Sequence, residues 1–298
     1  MRHILPSVVS PIVINWHVTE ACNFRCRYCY AKWQQLDSRE LIRDPEATDA
    51  LIEALYEGFA PFNTTMPPRL NFAGGEPLLY GGQVARAMAK AREVGFDVSL
   101  ISNGSRLTAD LAARIAPHMT MLGISIDGTT SAINERIGRL DGRGIQLDLA
   151  GMIDRIALMR SLNPAMTLKI NTVVNEVNWQ EDLIPLISDL APTRWKVLRM
   201  LPVVTNELAL SDEQFQAFVD RHRALDSIMC VEGNDDMVQS YIMVDPHGRF
   251  FQNRIVGAGY DYSQPISDMG ALAVFDRMKW SAEKFAARYP HISIQVAA

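Results

Sequence analysis

Cysteine is scarce in this chain, and neither sign of charge is in large excess. Four cysteines among 298 residues are too few for a disulfide framework. The formal charge is −5, from 29 Lys and Arg against 34 Asp and Glu, which argues against a surface that coats nucleic acid or anionic lipid. No apolar run approaches the roughly 20 residues that span a bilayer, and residues 1–10 lack a cleaved-signal pattern. We therefore expect a cytoplasmic monomer with no membrane or nucleic-acid partner.

Three of the four cysteines lie within eight residues, at Cys22, Cys26 and Cys29. Three thiolates can bind three irons of a four-iron, four-sulfur cluster and leave the fourth iron open to another ligand. A zinc site is the alternative, and it would need a fourth ligand such as His17 or Glu20. Cys230 has no cysteine or histidine at ligand spacing, and it is interpreted as a small buried core residue.

Short β-rich runs alternate with helical patterns over the first two thirds of the chain. Strands are predicted at residues 12–18, 69–73, 97–102, 120–126, 167–173 and 195–201. Apolar residues recur at helical spacing over residues 46–59, 82–94, 108–117, 145–161, 179–190 and 211–226. Six such units predict a parallel α/β sheet in a partial (β/α)6 TIM-like barrel.

The alternation of strands and helices changes after residue 205. The pattern there predicts a hairpin, a loop and a last helix, at residues 240–253, 257–264 and 271–288. No linker rich in proline or serine separates the two parts. We therefore divide the chain into a core over residues 1–205 and a C-terminal extension over residues 206–298 that closes the site.

Polar and glycine-rich segments follow the predicted strands. They comprise Gly74, Gly75 and Glu76 after the second strand, Ser102 and Asn103 after the third, and Ser125 at the end of the fourth. The cysteine loop follows the first strand in the same way. Because the carboxyl ends of parallel strands meet at one edge, these segments are predicted to surround one cavity.

The fifth and sixth predicted strands carry cationic and amide side chains in alternation with apolar ones. Lys169 and Asn171 share one face of the fifth strand, and Arg194 and Lys196 share one face of the sixth. Four such side chains on neighbouring strands are what a triphosphate site requires. The alternative is a set of solvated surface charges.

The Cys-x3-Cys-x2-Cys loop, with Tyr28 before its last cysteine and Gly-Gly-Glu-Pro at residues 74–77, resembles the radical S-adenosylmethionine superfamily. A closer resemblance, to the viperin family and its prokaryotic members, runs from about residue 12 to 280. It is carried by the strings INWHVTEACNFRCRYC, NFAGGEP, ISNGS, NERIGR, LKINTVVN and RWKVL and by the SYIMVD hairpin.

The resemblance implies a partial barrel of the radical S-adenosylmethionine type and a lyase that dehydrates a nucleoside triphosphate. The three cysteines would hold a 4Fe-4S cluster that cleaves S-adenosylmethionine to a 5′-deoxyadenosyl radical, and this radical removes the ribose 4′ hydrogen. Loss of the 3′ hydroxyl then gives a 3′-deoxy-3′,4′-didehydro nucleotide, a chain terminator in antiviral, here antiphage, defence. The resemblance also implies a flavodoxin-type reductase as electron donor, and it leaves CTP, UTP and GTP open as substrates.

The resemblance also implies roles for individual residues. S-adenosylmethionine would be held by Tyr28, by Gly74, Gly75 and Glu76 at its amino group, by Ser125 and Arg139 at its carboxylate, and by Ser102 and Asn103 along its ribose. The nucleotide would contact Asn15, Arg69, Ala73, Asn103, Lys169, Asn171, Arg194, Lys196, Tyr241 and Arg254. Asn15 and His17 are candidates for the base pocket. Tyr241 and Lys169 are the candidate proton sources for the departing hydroxyl.

Two alternatives remain open. One is a different radical S-adenosylmethionine enzyme, such as a peptide or cofactor maturase. Many peptide-modifying members carry a cysteine-rich C-terminal extension, whereas this extension has only Cys230. The other is a zinc-bound module that binds a nucleotide without catalysis, and a metal analysis would distinguish it.

Overall fold

One sheet of ten strands organises the computed structural model, which describes residues 11–31, 39–62, 66–254 and 257–288. Strands β1–β6 are Val13–His17, Arg69–Ala73, Asp97–Ser102, Met121–Ser125, Thr167–Val174 and Arg194–Arg199. Strands β7–β10 are Met229–Glu232, Ile242–Val244, Arg249–Asn253 and Tyr260–Pro265. Helices α1–α6 are Pro45–Phe59, Gly81–Val94, Ala109–Ile115, Ser131–Ile137, Leu149–Leu162 and Ile184–Leu190. Helices α7–α11 are Asp212–Arg221, Asn234–Met237, Ile266–Met269, Ala271–Phe275 and Ala282–Ala287.

The first seven strands are parallel neighbours in chain order, as right-handed βα units require. On the other side of β1 the sheet continues with β8, which is parallel to β1, and then with the antiparallel strands β9 and β10. Inward side chains from β1–β6, β8 and β9 line a single cavity, so the sheet curves around that cavity. Strands β7 and β10 end the sheet without pairing with each other, and the predicted partial barrel is confirmed.

The outer face of the sheet is apolar and supports the helices. Trp16, Phe72 and Trp195 are fully buried there, and each such side chain stabilises the fold by roughly 1.5–3 kcal/mol. The indole nitrogen of Trp195 donates to the hydroxyl of Thr172 at 3.0 Å, so burial leaves that donor satisfied. The alternation of outward apolar and inward polar side chains therefore turns the polar residues of the strands toward the cavity.

Several elements differ from the sequence prediction. Strand β7 and helix α4 were not predicted, and β10 replaces the predicted loop because its residues pair antiparallel with β9. The helix predicted from residue 179 begins only at Ile184, where Pro185 stands in its first turn. The predicted last helix is divided, because Ser281 accepts a hydrogen bond from the Lys284 amide and starts α11 anew.

A capping box stabilises the start of α7. The Ser211 hydroxyl accepts from the Gln214 amide, and the Gln214 side chain accepts from the Ser211 amide. Strands β7–β10 extend the core sheet across residue 205, and the division into two domains there stays a prediction. Among the described residues, no helix combines the length and the apolar character that a bilayer crossing demands.

Two glycines after β2 lie against the backbone that leads to the cysteine loop. The Gly75 amide donates to the Thr19 carbonyl at 2.7 Å, and the next amide, that of Glu76, donates to the Ala21 carbonyl at 2.8 Å. A Cβ atom on Gly75 would lie 2.2 Å from the Ala21 carbonyl oxygen, and one on Gly74 would lie 2.7 Å from that of Thr19. Only glycine allows this approach, so the pair fixes where the cysteine loop begins.

We expect Gly75→Ala to lower the free energy of unfolding by about 1–3 kcal/mol, because the added methyl group displaces the loop backbone. Chemical denaturation measures this change. Gly82→Ala in α2 is the matched control, since a Cβ there meets only the Arg114 guanidinium at 3.8 Å, and its stability should not fall. Wild-type stability in Gly75→Ala would show that the loop is not held against β2.

Candidate active site

The cavity inside the curved sheet collects nearly all of the predicted site residues. Its volume is about 1840 Å³ when its open mouth is included. All three clustered cysteines and the predicted cofactor and nucleotide residues line it, except Glu76 and Arg254. The Arg254 guanidinium is half exposed and lies 3.2 Å from the carboxylate of Asp261.

The three thiols face this cavity from the loop after β1, and none of them is in a disulfide. A turn brings the last two together, because the Cys29 amide donates to the Cys26 carbonyl at 3.1 Å. The Cys22 sulfur accepts from the Phe24 amide at 3.4 Å and lies 3.9 Å from the side-chain nitrogen of Asn103. Hydrogen bonds of this kind to the sulfurs are a feature of iron–sulfur sites.

The donor set fits a cluster better than a single ion. Within the described ranges, no group of three His, Cys, Asp or Glu side chains is placed to hold one metal ion. The zinc site completed by His17 or Glu20 is therefore not formed in this structure. A four-iron cluster does not require the three sulfurs to share one ion, because each thiolate binds a different iron. The three thiols of the loop can therefore hold such a cluster, and Gly74 and Gly75 line the same cavity.

A buried ion pair behind the cysteine loop holds Tyr28 and Arg139. The Arg139 guanidinium donates to the Asp127 carboxylate at 2.9 Å and to the Ser125 carbonyl at 2.6 Å. The Tyr28 phenol donates to the same carboxylate, and burial together with that negative charge raises the pKa of Tyr28 well above its usual value. Asp127 was not among the predicted site residues, although its place two residues after Ser125 is a usable signal.

Glu76 lies behind the cavity wall and joins the ends of two strands. Its carboxylate accepts from the Ser102 hydroxyl at 2.8 Å, the Asn103 amide at 2.7 Å and the Leu78 amide at 3.0 Å. Burial raises the pKa of this fully buried carboxyl, while these three donors favour its ionised form. A role for Glu76 at the amino group of S-adenosylmethionine stays a prediction.

Cationic side chains concentrate on the wall formed by β2, β5 and β6. Arg69 is paired with Asp97 at 2.6 Å, whereas Lys169 has no hydrogen bond or ion pair among the described residues. Burial and the nearby positive charges lower the pKa of Lys169 well below its usual value, and those charges belong to Lys196, Arg194, Arg69 and Arg288. A bound anion would relieve this repulsion, so the wall is suited to phosphate.

Next to this wall, Tyr241 takes part in a network of hydrogen bonds and ion pairs. The sequence predicted Lys196 and Tyr241 as site residues, but not the other two members, Glu232 and Arg288. The Lys196 ammonium donates to the Tyr241 hydroxyl at 2.6 Å and pairs with Glu232 at 2.7 Å. The Tyr241 hydroxyl donates to the same carboxylate, and the Arg288 guanidinium lies 3.3 Å from the Tyr241 ring centre and 3.0 Å from Glu232. Burial opposes ionisation of Glu232, but Lys196 and Arg288 hold its pKa at about 2. Burial lowers the pKa of Lys196 to about 8.

Glu232 and Arg288 were not predicted as site residues, because each reaches the cavity from an element that lies far from the other site residues in the sequence. Glu232 shares the inward face of the unpredicted strand β7 with Cys230, and Arg288 follows the last helix, α11. Cys230 is not the buried apolar residue that was predicted, because it is partly exposed and its sulfur lies 2.9 Å from the Arg194 guanidinium.

Comparison with known proteins agrees with this geometry. Residues 16–172 match the model of the radical SAM superfamily. The chain is 40% identical over 296 residues to an S-adenosylmethionine-dependent nucleotide dehydratase of Pseudoalteromonas ulvae, which spans 97% of this chain and 96% of that protein. It is 38% identical to a protein of the same description from Psychrobacter lutiphocae, over 95% of this chain and 96% of that one.

The fold is shared with solved structures of low sequence similarity. A structure of anSMEcpe with bound AdoMet and a peptide superimposes with a TM-score of 0.67 at 15% identity, over 93% of this chain and 83% of that one. A structure of Streptococcus suis SuiB bound to its precursor peptide superimposes with a TM-score of 0.63 at 12% identity, over 94% of this chain and 67% of that one. The chain belongs to the radical S-adenosylmethionine superfamily. Within it, the chain belongs to the family of S-adenosylmethionine-dependent nucleotide dehydratases.

We expect Cys26→Ala to abolish cluster binding, because two thiolates do not retain a cluster that needs three. Anaerobic reconstitution with iron and sulfide, followed by visible absorbance and iron analysis, measures the effect. Cys230→Ser is the control, since it removes a thiol outside the loop but leaves an acceptor for the guanidinium of Arg194. Full iron content in Cys26→Ala would exclude the loop as the cluster site.

Proposed function

We propose that this protein is a lyase that converts CTP, UTP or GTP to its 3′-deoxy-3′,4′-didehydro analogue, with a 4Fe-4S cluster and S-adenosylmethionine as cofactors. One observation carries the proposal: the three clustered thiols and a wall of cations open into the same cavity. A radical source and a polyanion site thereby share one enclosed space. The names of the bacterial relatives support the same reaction class.

When bound, the cluster and S-adenosylmethionine supply a 5′-deoxyadenosyl radical that removes the ribose 4′ hydrogen of the nucleotide. The chain contributes Cys22, Cys26 and Cys29 to the cluster. The absence of side chains at Gly74 and Gly75 lets the cysteine loop lie against the end of β2, where a Cβ atom on either residue would collide with the loop backbone. The curved sheet encloses the reacting groups and limits access of water.

The triphosphate is bound by the cations of β5 and β6. Lys169, Arg194 and Lys196 all line the cavity, and charge-assisted hydrogen bonds to phosphate oxygens are stronger than neutral ones. Lys169 gains most from a bound phosphate, because no carboxylate among the described residues is paired with it. Asn171, on the same face of β5, adds an amide donor beside these charges.

Tyr241 is the proton source that we propose for the departing 3′ hydroxyl. Its phenol oxygen carries a proton shared with Glu232 and accepts a hydrogen bond from the Lys196 ammonium at 2.6 Å. The Lys196 ammonium can replace a proton that the phenol gives up, because burial lowers the pKa of Lys196 to about 8. Loss of the hydroxyl as water leaves a radical cation on the sugar, and one electron from the reductase proposed below gives the neutral 3′,4′-didehydro sugar. Such a nucleotide would stop RNA synthesis, and antiphage defence is the role that we propose for it.

A flavodoxin-type reductase is the electron donor that we propose, and an arginine face beside the cysteine loop supports it. This arginine face consists of Arg25, Arg106 and Arg136, which are exposed and have no acidic partner among the described residues. Arg25 lies within the loop, Arg106 borders a cleft that includes Asn23, and the Arg136 carbonyl accepts from the side chain of Arg27. An acidic protein would be attracted to this face.

We also propose a cytoplasmic monomer. Four free cysteines and an oxygen-sensitive cluster are suited to a reducing compartment. The exposed large apolar side chains among the described residues, such as Ile145, Val231 and Met269, are scattered along the chain.

We expect Lys169→Met to weaken nucleotide binding about 10- to 150-fold, the equivalent of one lost charge-assisted contact of about 1.5–3 kcal/mol. The free energy of unfolding should stay the same or rise, because the buried cation is repelled by its neighbours. Titration calorimetry and denaturation measure the two effects. Lys90→Met, which removes an ammonium on α2 that is paired with Glu53 of α1, should leave affinity unchanged. Wild-type affinity in Lys169→Met would place the triphosphate elsewhere.

We expect Arg106→Glu to slow reduction of the cluster by reduced flavodoxin several-fold at low salt, with a smaller effect at high salt. Stopped-flow absorbance of the cluster measures the rate. Dithionite does not need a protein contact, so it should reduce the variant at the wild-type rate. Arg277→Glu, a charge reversal after α10, is the control. Equal rates of reduction by flavodoxin for the wild type, Arg106→Glu and Arg277→Glu would exclude the arginine face as the docking site.

A further inference from the structure

The side-chain amide of Asn253 lies at the end of β9. Asn253 is 8% exposed and lines the cavity, yet its side chain has no hydrogen bond among the described residues. It stands on the inward face with Phe251, which pairs with Met243 of β8. An amide that lines a cavity without a protein partner has its donor and its acceptor available to a ligand that offers hydrogen-bonding groups.

The other amides on this side of the cavity are already engaged. The Asn71 side chain donates to that of Asn15 at 2.9 Å and accepts from the Ser99 hydroxyl at 2.8 Å. The Asn15 side chain in turn donates to the Ile242 carbonyl at 3.2 Å. Asn15, a candidate for the base pocket from the sequence, therefore bonds to its neighbours in the barrel, whereas Asn253 does not.

The surroundings of Asn253 differ from those of the cationic wall. An apolar cluster packs next to it, formed by Ala31, Val203, Met243, Phe251 and Tyr260 with Cys29 and Tyr241 at its edge. Of its five buried members, Ala31 and Met243 line the cavity. Asn253 pairs with Tyr260 across β9 and β10. An apolar surface with a single amide at its margin matches a nucleobase, which has a flat apolar face and a polar edge.

Tyr241 lies between the two environments. It is hydrogen-bonded to Lys196 on the cationic side, and it contacts the apolar cluster on the other side. A nucleotide with its ribose beside Tyr241 would therefore extend its phosphates toward Lys196 and its base toward Asn253. Asn171 is also buried without a side-chain partner among the described residues, but it faces Lys196 across β5 and β6 and so lies on the phosphate side.

We propose that Asn253 determines base specificity by hydrogen-bonding the polar edge of the nucleobase. The inference rests on the proposed nucleotide dehydratase function. An amide presents a donor and an acceptor together, so it distinguishes bases by the order of groups along their edges. Replacing it with an apolar side chain removes that distinction but keeps the apolar surface on which every base can stack.

The test uses the reconstituted, reduced full chain with S-adenosylmethionine and an equimolar mixture of CTP, UTP, GTP and ATP. Mass spectrometry of the dehydrated products gives the ratio of the preferred base to the others. We expect Asn253→Leu to lower this ratio about tenfold while dehydration continues. Asn171→Leu, the matched variant on the phosphate side, should reduce all products evenly and keep the ratio. A purely structural role of Asn253 would reduce all products evenly as well.

Asn253→Asp provides a second variant of the same size, which keeps the acceptor and removes the donor. Asn253→Asp should also change the product ratio, so the proposal can still be tested if Asn253→Leu folds poorly. The inference is overturned if the wild-type ratio persists in both variants, or if the wild type shows no base preference. Absence of dehydrated product from the wild type with every nucleotide would overturn the proposed function itself, a result distinct from the other two.

Discussion

Two backbone hydrogen bonds, from the amides of Gly75 and Glu76 to the loop after β1, are the constraint on which the site depends. They require glycine at position 75, because any Cβ there would overlap the Ala21 carbonyl. With the loop held at the end of β2, its three thiols open into the barrel. The Asp127–Arg139 pair supports the same loop from behind through Tyr28. The loop is thus fixed on two sides before any cluster binds.

Charge is the second organising feature, and it is distributed unevenly within one cavity. Lys196, Arg288 and Glu232 neutralise one another in part, but Lys169 is left without a counter-charge among the described residues. A protein of net charge −5 thereby maintains a local positive potential inside its barrel. The unfavourable free energy of burying these cations is offset when a polyanion binds, which couples occupancy of the site to its stability.

The cavity also separates two kinds of recognition. Cations at one side suit phosphate, and the apolar cluster with Asn253 at the other suits a base. Tyr241 lies where the two sides meet, and its hydroxyl is already hydrogen-bonded to the Lys196 ammonium and to the Glu232 carboxylate. A substrate long enough to reach both sides would have its ribose beside the phenol. In the function that we propose, this separation would position the reacting part of the nucleotide through contacts remote from it.

Local patterns in the sequence determined the cysteine loop, the glycine pair, the six βα units and the inward face of Lys169 and Lys196. Spacing and alternation are properties of adjacent residues, so they can be read without the fold. Tertiary structure alone decided which polar groups are already paired: Arg69 with Asp97, Asn15 with Asn71, and Glu232 with Arg288 from the far end of the chain. It also left the Asn253 side chain without a hydrogen bond among the described residues. These contacts join residues far apart in sequence. Strand pairing brings the first two pairs together, since β1, β2 and β3 are neighbours, and the position of Arg288 after α11 brings it to Glu232 of β7.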